Sequence, residues 1–156
     1  MDITFCKGND LTENEKKKIV NFCKEPFNEE TKIFNKNIIG ILKNIIEKKI
    51  IGIVFLLPEI NFLKNDNKEL YNNLIKQGVK DGDCYLYNFC ILKTERKKGY
   101  GFKLLEECHK YLKKIYKRII LFVDSKNSGA IYLYNKAKYK VHLASPDGFI
   151  MKNNLN

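Results

Sequence analysis

Residues 84–115 join an apolar run to an amphipathic one through a short cationic loop. The run Cys84–Leu92 (CYLYNFCIL) is apolar and aromatic, which is typical of a buried strand. From Gly101 to Ile115, apolar residues recur with the 3.6-residue period of a helix that packs on a core. The segment RKKGYG, residues 96–101, therefore lies where a strand gives way to a helix. This arrangement predicts a fold built from strand–helix units.

The rest of the chain extends this pattern to the element order βααβ(α)βαβαββ. Thr12 and Glu15 form the capping-box pattern that starts a helix. Apolar residues on a helical period predict a second helix from Glu29 to Lys48. Strands are expected at 3–7, 50–57, 118–123, 139–144 and 149–152, and helices near 70–75 and over 128–138. The order predicts one α/β (α+β) domain over residues 1–156, with a central mixed, mostly antiparallel sheet flanked by helices.

Composition argues against several classes of protein. The five cysteines are an odd number without CxxC spacing, and there are only two histidines, so we expect neither a disulfide framework nor a metal site. No apolar run approaches the ~18 residues of a membrane helix, and the N-terminus lacks the apolar core of a signal peptide. We therefore expect no membrane partner and a reducing compartment, the cytoplasm, with the nucleus left open.

Positive charge is concentrated in one part of the chain. The net charge is +11, yet residues 1–95 hold 15 Lys and Arg against 14 Asp and Glu. Residues 96–140 hold 13 against 3, which predicts an anionic ligand near that segment. A basic nucleic-acid-binding protein is the alternative, but the sequence has no RNP pattern, zinc-finger spacing or helix-turn-helix pattern, so nucleic acid is the less favoured ligand.

The RKKGYG loop has the chemistry of a phosphate site. A helix N-terminus presents unpaired N–H groups and the positive end of the helix dipole. Gly99 and Gly101 let the backbone approach a phosphate closely, while Lys97 and Lys98 add charge and Arg96 adds a forked donor. The pattern is not a P-loop, because it lacks the GKS/T ending. The alternative is that Gly99 only loosens a loop.

A second motif follows about 30 residues later. In LFVDSKNSGAIYLYNKAKYKV, residues 121–141, a strand leads to Asn127 and then to a helix that carries Tyr134. Arg-x-x-Gly-x-Gly and Asn-x-x-Ala-Ile-x-Leu-Tyr, followed by an aromatic-led strand, together resemble the GNAT superfamily of acetyl-CoA-dependent N-acetyltransferases. The resemblance covers residues 84–152 in detail and the N-terminal half only in element order.

The resemblance implies a GNAT domain and an activity. An acetyl group would pass from acetyl-CoA, the co-substrate, to a primary amine by direct attack in a ternary complex, without a metal. Tyr134, near the thioester sulfur, would be the general acid. The cofactor-binding residues would be the backbone of Cys90, Ile91 and Leu92 for the pantetheine arm, Arg96, Lys97, Lys98, Gly99, Tyr100 and Gly101 for the pyrophosphate, and Asn127.

Two departures from the family pattern affect these expectations. Lys138 stands where the family usually has Gly at a helix C-cap, which concerns only the cap geometry. Tyr87 and Asn88 stand where many members have acidic residues, so the general base is open, and water held by either residue is one answer. Phe27, Tyr87 and Asn88 are the candidate acceptor contacts. Cys90 as a nucleophile and Tyr134 as a packing residue are further alternatives.

The acceptor is not specified by the sequence. An amino sugar phosphate or another small amine is compatible with it, and so is a protein amine. A non-catalytic acyl-CoA-binding module is the alternative function, since the strand lacks the acids. A homodimer is also left open.

Overall fold

The computed structural model describes residues 1–27, 33 and 35–155, with the side chains of residues 25–27 left out. The helices are α1 (Glu13–Phe27), α2 (Leu63–Asp66), α3 (Lys68–Lys76), α4 (Tyr100–Leu112) and α5 (Ser128–Lys136). The strands are β1 (Asp2–Lys7), β2 (Ile38–Asn44), β3 (Lys49–Leu57), β4 (Asp83–Ile91), β5 (Arg118–Asp124), β6 (Lys140–Ala144) and β7 (Gly148–Asn154).

Within the described residues, seven strands form a mixed sheet in the order β1-β2-β3-β4-β5-β7-β6. The pairs β1–β2, β2–β3, β5–β7 and β6–β7 are antiparallel, and β4–β5 is parallel. The expected α/β architecture with a mixed sheet is confirmed.

The chain groups into two compact units. The first comprises residues 1–56 and 88–108, and the second comprises residues 57–87 and 109–156. In the first unit, fully buried side chains come from α1, the β2–β3 hairpin and α4, namely Ile19, Cys23, Ile39, Leu42, Ile53, Leu104 and Leu105. In the second, they come from α2, α3, β5 and β7, together with Tyr139, namely Leu63, Leu74, Ile119, Ile120, Leu121, Tyr139 and Met151. The single domain over residues 1–156 stays a prediction.

The helix expected from Glu29 to Lys48 is wrong from Ile38 onward. β2 lies there, paired with β1 on one edge and β3 on the other, and a turn follows in which Asn44 Oδ1 accepts the Ile46 N–H at 3.1 Å. Ile46, which the helix would have buried, is 93% exposed at the hairpin tip. Clustered isoleucines fit both the helical and the strand period, and their β-branched side chains favour the strand. Residues 29–32 and 34 of the predicted helix lie outside the described residues.

The capping box that starts α1 is confirmed. The Thr12 N–H donates to Glu15 Oε2 at 2.9 Å, and the Glu15 N–H donates to Thr12 Oγ1 at 3.3 Å. The two bonds satisfy donors that the first turn of a helix leaves unpaired. The helix ends at Phe27, directly after Pro26.

In the second unit, an ion pair fixes the start of the two parallel strands. Asp83 is buried, and its Oδ2 accepts hydrogen bonds from Arg118 Nη2 at 2.7 Å and from the Lys80 N–H at 2.7 Å. The pairing of β4 with β5 begins at this pair and runs to Leu86 opposite Leu121. A buried carboxylate needs such partners, and here they set the register of β4.

Candidate active site

The second half of β4 has one edge turned away from β3. The Leu92 N–H donates to the Ile51 carbonyl at 2.8 Å, so Leu92 faces β3. Main-chain groups of successive strand residues point to opposite edges, so those of Ile91 point the other way. On that edge the Ile91 carbonyl accepts a hydrogen bond from Arg96 Nε at 3.0 Å. The Ile91 N–H is thus the donor that this part of β4 can offer to a ligand, whereas that of Leu92 is already used.

Gly52 of β3, which the sequence analysis did not single out, lets β4 come close. A Cβ at Gly52 would lie 2.5 Å from Ile91 Cδ1 and 3.4 Å from the Cys90 carbonyl oxygen. A larger residue would therefore require the end of the Ile91 side chain to move, on the strand that carries the expected pantetheine contacts. A glycine inside an otherwise apolar strand is the sequence feature that could have indicated this close approach.

The loop from Arg96 to Gly101 adopts a backbone that most residues avoid. Lys97 has φ 62° and Gly99 has φ 83°, both in the left-handed region. The first helical bond of α4 runs from the Lys103 N–H to the Gly99 carbonyl at 3.1 Å, so Gly99 is the N-cap residue. The N–H groups of Tyr100 and Gly101 come before that bond, in the turn where a helix supplies no acceptors. Glycine can take this backbone without strain, and such loops form concave anion sites.

The cations of this loop differ in their partners. Lys98 Nζ lies 3.1 Å from Glu95 Oε2, and its side chain is 52% exposed. Lys97 is exposed, and its ammonium forms no ion pair with any described residue. Arg96 is tied to the end of β4 through Ile91. Lys97 therefore carries the least compensated charge at the start of α4.

Asn127 caps the other strand-to-helix junction. Its Oδ1 accepts the Ala130 N–H at 3.1 Å, and Asp124 Oδ1 accepts the Lys126 N–H at 2.7 Å. The Nδ2 amide of Asn127 makes no hydrogen bond within the described residues, and the residue is exposed. The side chain can therefore cap α5 and still present a donor to a cofactor.

Tyr134 is held by the C-terminal cap of its own helix. The Tyr139 N–H donates to the Tyr134 carbonyl at 2.9 Å and the Lys138 N–H to the Asn135 carbonyl at 3.0 Å, which is a Schellman motif. Lys138 occupies the left-handed position of that motif at φ 66°, where glycine is usual. The cap geometry is thus kept despite the lysine. The rings of Tyr134 and Tyr139 lie 5.5 Å apart, which is the apolar contact that accompanies such a cap.

The Tyr139 ring is in turn linked to α4. His109 Nε2 and the Tyr139 hydroxyl lie 3.2 Å apart, and their rings are 5.5 Å apart. Burial lowers the pKa of His109 to about 4, so its imidazole is neutral near pH 7. Burial, with the Tyr85 phenol nearby, raises the pKa of Tyr134. The second unit therefore contains a neutral cluster of the half-buried His109 and the buried Tyr134 and Tyr139. No local sequence pattern indicates it, since His109 and Tyr139 are 30 residues apart.

The remaining predicted residues are placed as follows. Tyr87 and Asn88 are half-buried on β4, and the Asn88 amide makes no hydrogen bond to a described residue. Cys90 is buried, and a hydrogen bond with Cys23 together with burial raises the pKa of its thiol, so the alternative of a core cysteine is favoured over a nucleophile. Phe27 ends α1, and its side chain lies outside the described residues.

The predicted residues thus fall into two groups. Asn88, the end of β4 and the loop 96–101 belong to the first unit, and Tyr87, Asn127 and Tyr134 belong to the second. Among the described residues, no group of three or more His, Cys, Asp or Glu side chains is arranged to hold a metal ion. None of the described helices is long and apolar enough to cross a membrane.

The sequence model of the Acetyltransferase (GNAT) family matches residues 14–139 of the chain. The protein belongs to the GNAT acetyltransferase family. Acyl transfer is therefore the class of chemistry that its fold serves. No curated protein matches the sequence significantly.

Solved GNAT structures have the same fold at low sequence identity. A spermidine N-acetyltransferase SpeG chimera from Vibrio cholerae and hSSAT aligns with a TM-score of 0.69 and 16% identity, over 99% of this chain and 97% of its own. Arabidopsis thaliana NAA60, in complex with a bisubstrate analogue, aligns with a TM-score of 0.66 and 14% identity, over 99% of this chain and 100% of its own. The ribosomal-protein-S18-alanine N-acetyltransferase of Escherichia coli aligns with a TM-score of 0.64 and 14% identity, over 99% of this chain and 95% of its own. At these identities the likeness shows the fold alone.

Proposed function

We propose that this GNAT protein is an N-acetyltransferase that moves an acetyl group from acetyl-CoA to a primary amine by direct attack in a ternary complex. The observation that carries the proposal is the start of α4. There a left-handed backbone at Lys97 and Gly99 leads into N–H groups that no side chain of Gly99 can cap. An anion is the kind of ligand that such a helix start favours.

The charge around this helix start supports a pyrophosphate. Helix α4 has no acidic residue in its first turn, and residues 96–140 hold 13 Lys and Arg against 3 Asp and Glu. N–H groups at a helix N-terminus and nearby cations are the usual partners of phosphate oxygens. Arg96, Lys97, Lys98, Gly99, Tyr100 and Gly101 would hold the coenzyme A pyrophosphate, and the main chain of Cys90, Ile91 and Leu92 would face the pantetheine arm. Asn127 would add its Nδ2 donor.

Two parts of the transfer step can be assigned to groups of the chain. A neutral amine would attack the thioester carbonyl, and the Ile91 N–H would stabilise the developing oxyanion. The C–S bond then breaks, and Tyr134 gives its proton to the departing thiolate. Burial raises the pKa of the Tyr134 phenol above its ordinary value. Burial also penalises the charged thiolate, so it raises the pKa of the departing thiol from a usual value of about 8.5. The difference in pKa between the Tyr134 phenol and this thiol is limited in that way.

The amine must lose a proton, and no acidic residue stands on this part of β4. We propose that a water molecule held by the Asn88 amide or the Tyr87 hydroxyl accepts it, since Asn88 has hydrogen-bonding capacity that no described residue uses. This arrangement suits an amine that is already partly neutral at the working pH, because water is a weaker base than a carboxylate.

The acceptor class is open between a small amine and a protein amine. Of the proteins with a similar fold, one is a spermidine N-acetyltransferase chimera and another is a ribosomal-protein-S18-alanine N-acetyltransferase, so the fold accommodates both kinds of acceptor. Phe27, Tyr87 and Asn88 are the residues we propose for acceptor contact. We also propose the cytoplasm as the compartment, because all five cysteines are free thiols, as in a reducing environment.

A thiol-release assay tests the proposal. Cofactor-free protein is mixed with acetyl-CoA and a panel of amines: spermidine, an amino sugar phosphate, a lysine peptide and a peptide with a free N-terminus. We expect amine-dependent release of free thiol with at least one of them, and loss of that release in Tyr134→Phe. Binding of acetyl-CoA without release for any amine would favour a non-catalytic acyl-CoA-binding module. Retention on heparin without acetyl-CoA binding would favour nucleic acid.

A further inference from the structure

Tyr134 is oriented by contacts that begin at the end of α5. The Schellman bonds place Tyr139 directly after the helix, and its ring lies 5.5 Å from that of Tyr134 at an interplanar angle of 58°. Tyr134 is 6% exposed and Tyr139 is 2% exposed. Because both rings are packed with so little free space, a shift of the Tyr139 ring would disturb the Tyr134 ring.

The Tyr139 ring is fixed at its far end. Its hydroxyl lies 3.2 Å from Nε2 of His109, a residue on α4 and not on α5. A buried phenol that loses its hydrogen-bond partner must leave the group unsatisfied or turn the ring to find another. His109 therefore helps to fix the Tyr139 hydroxyl, and through the ring contact it restricts Tyr134.

We propose that His109 is a positioning residue for the reaction: its hydrogen bond with the Tyr139 hydroxyl keeps the Tyr139 ring against Tyr134 and so aims the Tyr134 phenol. The proposal rests on the proposed function, in which Tyr134 is the general acid. The pattern of contacts supports it, since Tyr139 contacts both residues within one compact unit. A proton donor misplaced by about 1 Å can lose up to about 100-fold in rate, so a distant anchor can affect turnover.

Three variants separate the hydrogen bond from the packing. Tyr139→Phe keeps the ring and removes the hydroxyl. His109→Leu removes the imidazole, and His109→Gln keeps an amide that can bond the hydroxyl. We expect Tyr139→Phe and His109→Leu to lower kcat about tenfold with little change in the KM for acetyl-CoA, because positioning acts on the chemical step. His109→Gln should restore most of kcat.

A stability control guards against a general loss of folding. Leu112, also on α4 and fully buried, carries no polar group, so Leu112→Val changes core packing on this helix without removing a hydrogen bond. Leu112→Val should lower Tm and leave kcat unchanged below the unfolding range. Should Leu112→Val reduce kcat as much as His109→Leu at equal loss of Tm, the effect of His109 would be structural and the proposal overturned.

A double-mutant cycle gives the decisive readout. In a Tyr134→Phe background, Tyr139→Phe should lower the residual kcat by less than about twofold, since coupled residues are not additive. A further tenfold loss there would overturn the proposal. The proposed function fails separately, if Tyr134→Phe alone keeps full turnover. When Tyr134→Phe is nearly inactive but His109→Leu and Tyr139→Phe keep wild-type kcat, the positioning role alone is wrong.

Discussion

Helices α4 and α5 both begin shortly after a strand, but their first turns are satisfied in different ways. At α5 the chain caps its own start, with Asn127 Oδ1 accepting the Ala130 N–H, and in the turn before it Asp124 Oδ1 accepts the Lys126 N–H. At α4 the N-cap is Gly99, which has no side chain, and the backbone reaches it through left-handed residues. The first turn of α5 is thus capped by a side chain of the chain itself, whereas the first turn of α4 is open to a ligand. The difference is the reason that we propose the start of α4, and not that of α5, as the phosphate site.

In the proposed reaction, the two helices have separate roles, one in binding and one in chemistry. The start of α4 would bind the phosphates of the cofactor, whereas α5 would carry the chemistry on Tyr134, close to its C-terminal cap. Variants at the two helices should therefore affect binding and turnover separately.

The largest expected effect is on turnover, at Tyr134. Tyr134→Phe keeps the ring and its contact with Tyr139 but removes the proton, so kcat should fall by roughly 10² to 10⁴ while the Kd for acetyl-CoA stays similar. Steady-state thiol release and calorimetric binding measure the two quantities. If the variant retains nearly full kcat on the true acceptor, Tyr134 is a packing residue and water supplies the proton.

The next largest effect is on the binding of acetyl-CoA, and two glycines at the same position of their helices test it. Gly101 and Gly129 are each the second residue of their helix, so valine at either position makes the same change in the same place. Gly101→Val should weaken acetyl-CoA binding about 10- to 100-fold, since one charge-assisted hydrogen bond contributes about 1.5–3 kcal/mol. Gly129→Val should leave the Kd unchanged, because a Cβ there meets nothing within 4 Å.

Lys98→Ala is the companion test of charge. Its ammonium is paired with Glu95, so its loss should weaken binding far less than Gly101→Val does. Equal losses of affinity in Gly101→Val and Lys98→Ala would mean that charge and not backbone approach makes the site.

A smaller effect separates the two roles of Asn127. Asn127→Ala should lower the free energy of unfolding by about 1 kcal/mol, the usual contribution of an N-cap. Asn127→Asp keeps the cap acceptor and should retain that stability, but it replaces the Nδ2 donor with a negative oxygen and should weaken acetyl-CoA binding. Thermal unfolding and calorimetry distinguish the two. An Asn127→Asp variant as unstable as Asn127→Ala would argue that the cap contributes nothing.

The smallest effects concern two lysines at positive φ. Lys97 and Lys138 have φ 62° and 66°, so glycine at either position should relieve strain. We expect Lys97→Gly and Lys138→Gly each to raise the free energy of unfolding by up to about 1 kcal/mol, after the greater freedom of glycine in the unfolded chain is subtracted. Lys97→Gly alone should also weaken acetyl-CoA binding, by about two- to fivefold, as one exposed charge is lost. Identical effects of both variants on affinity would remove the distinction between the two helices.

Local chemistry made much of the C-terminal half predictable. The loop 96–101, the helix that follows it and the Asn127 cap each depend on residues within a few positions of one another. In the N-terminal half, the isoleucines of residues 38–46 fit two periods, and only pairing with β1 and β3 decides for the strand. The same limit applies to Gly52 beside Ile91 and to His109 beside Tyr139, because those contacts join residues about 30 or more positions apart.

The most direct test of the account is the thermal unfolding of cofactor-free protein with and without acetyl-CoA. Acetyl-CoA at 100 times its Kd should raise the free energy of unfolding by about 2.7 kcal/mol, which for a chain of this size is a rise in Tm of about 5 to 10 °C. Pantetheine, which lacks the phosphates, should give a much smaller shift at the same concentration. No shift with saturating acetyl-CoA would contradict a cofactor site at the start of α4.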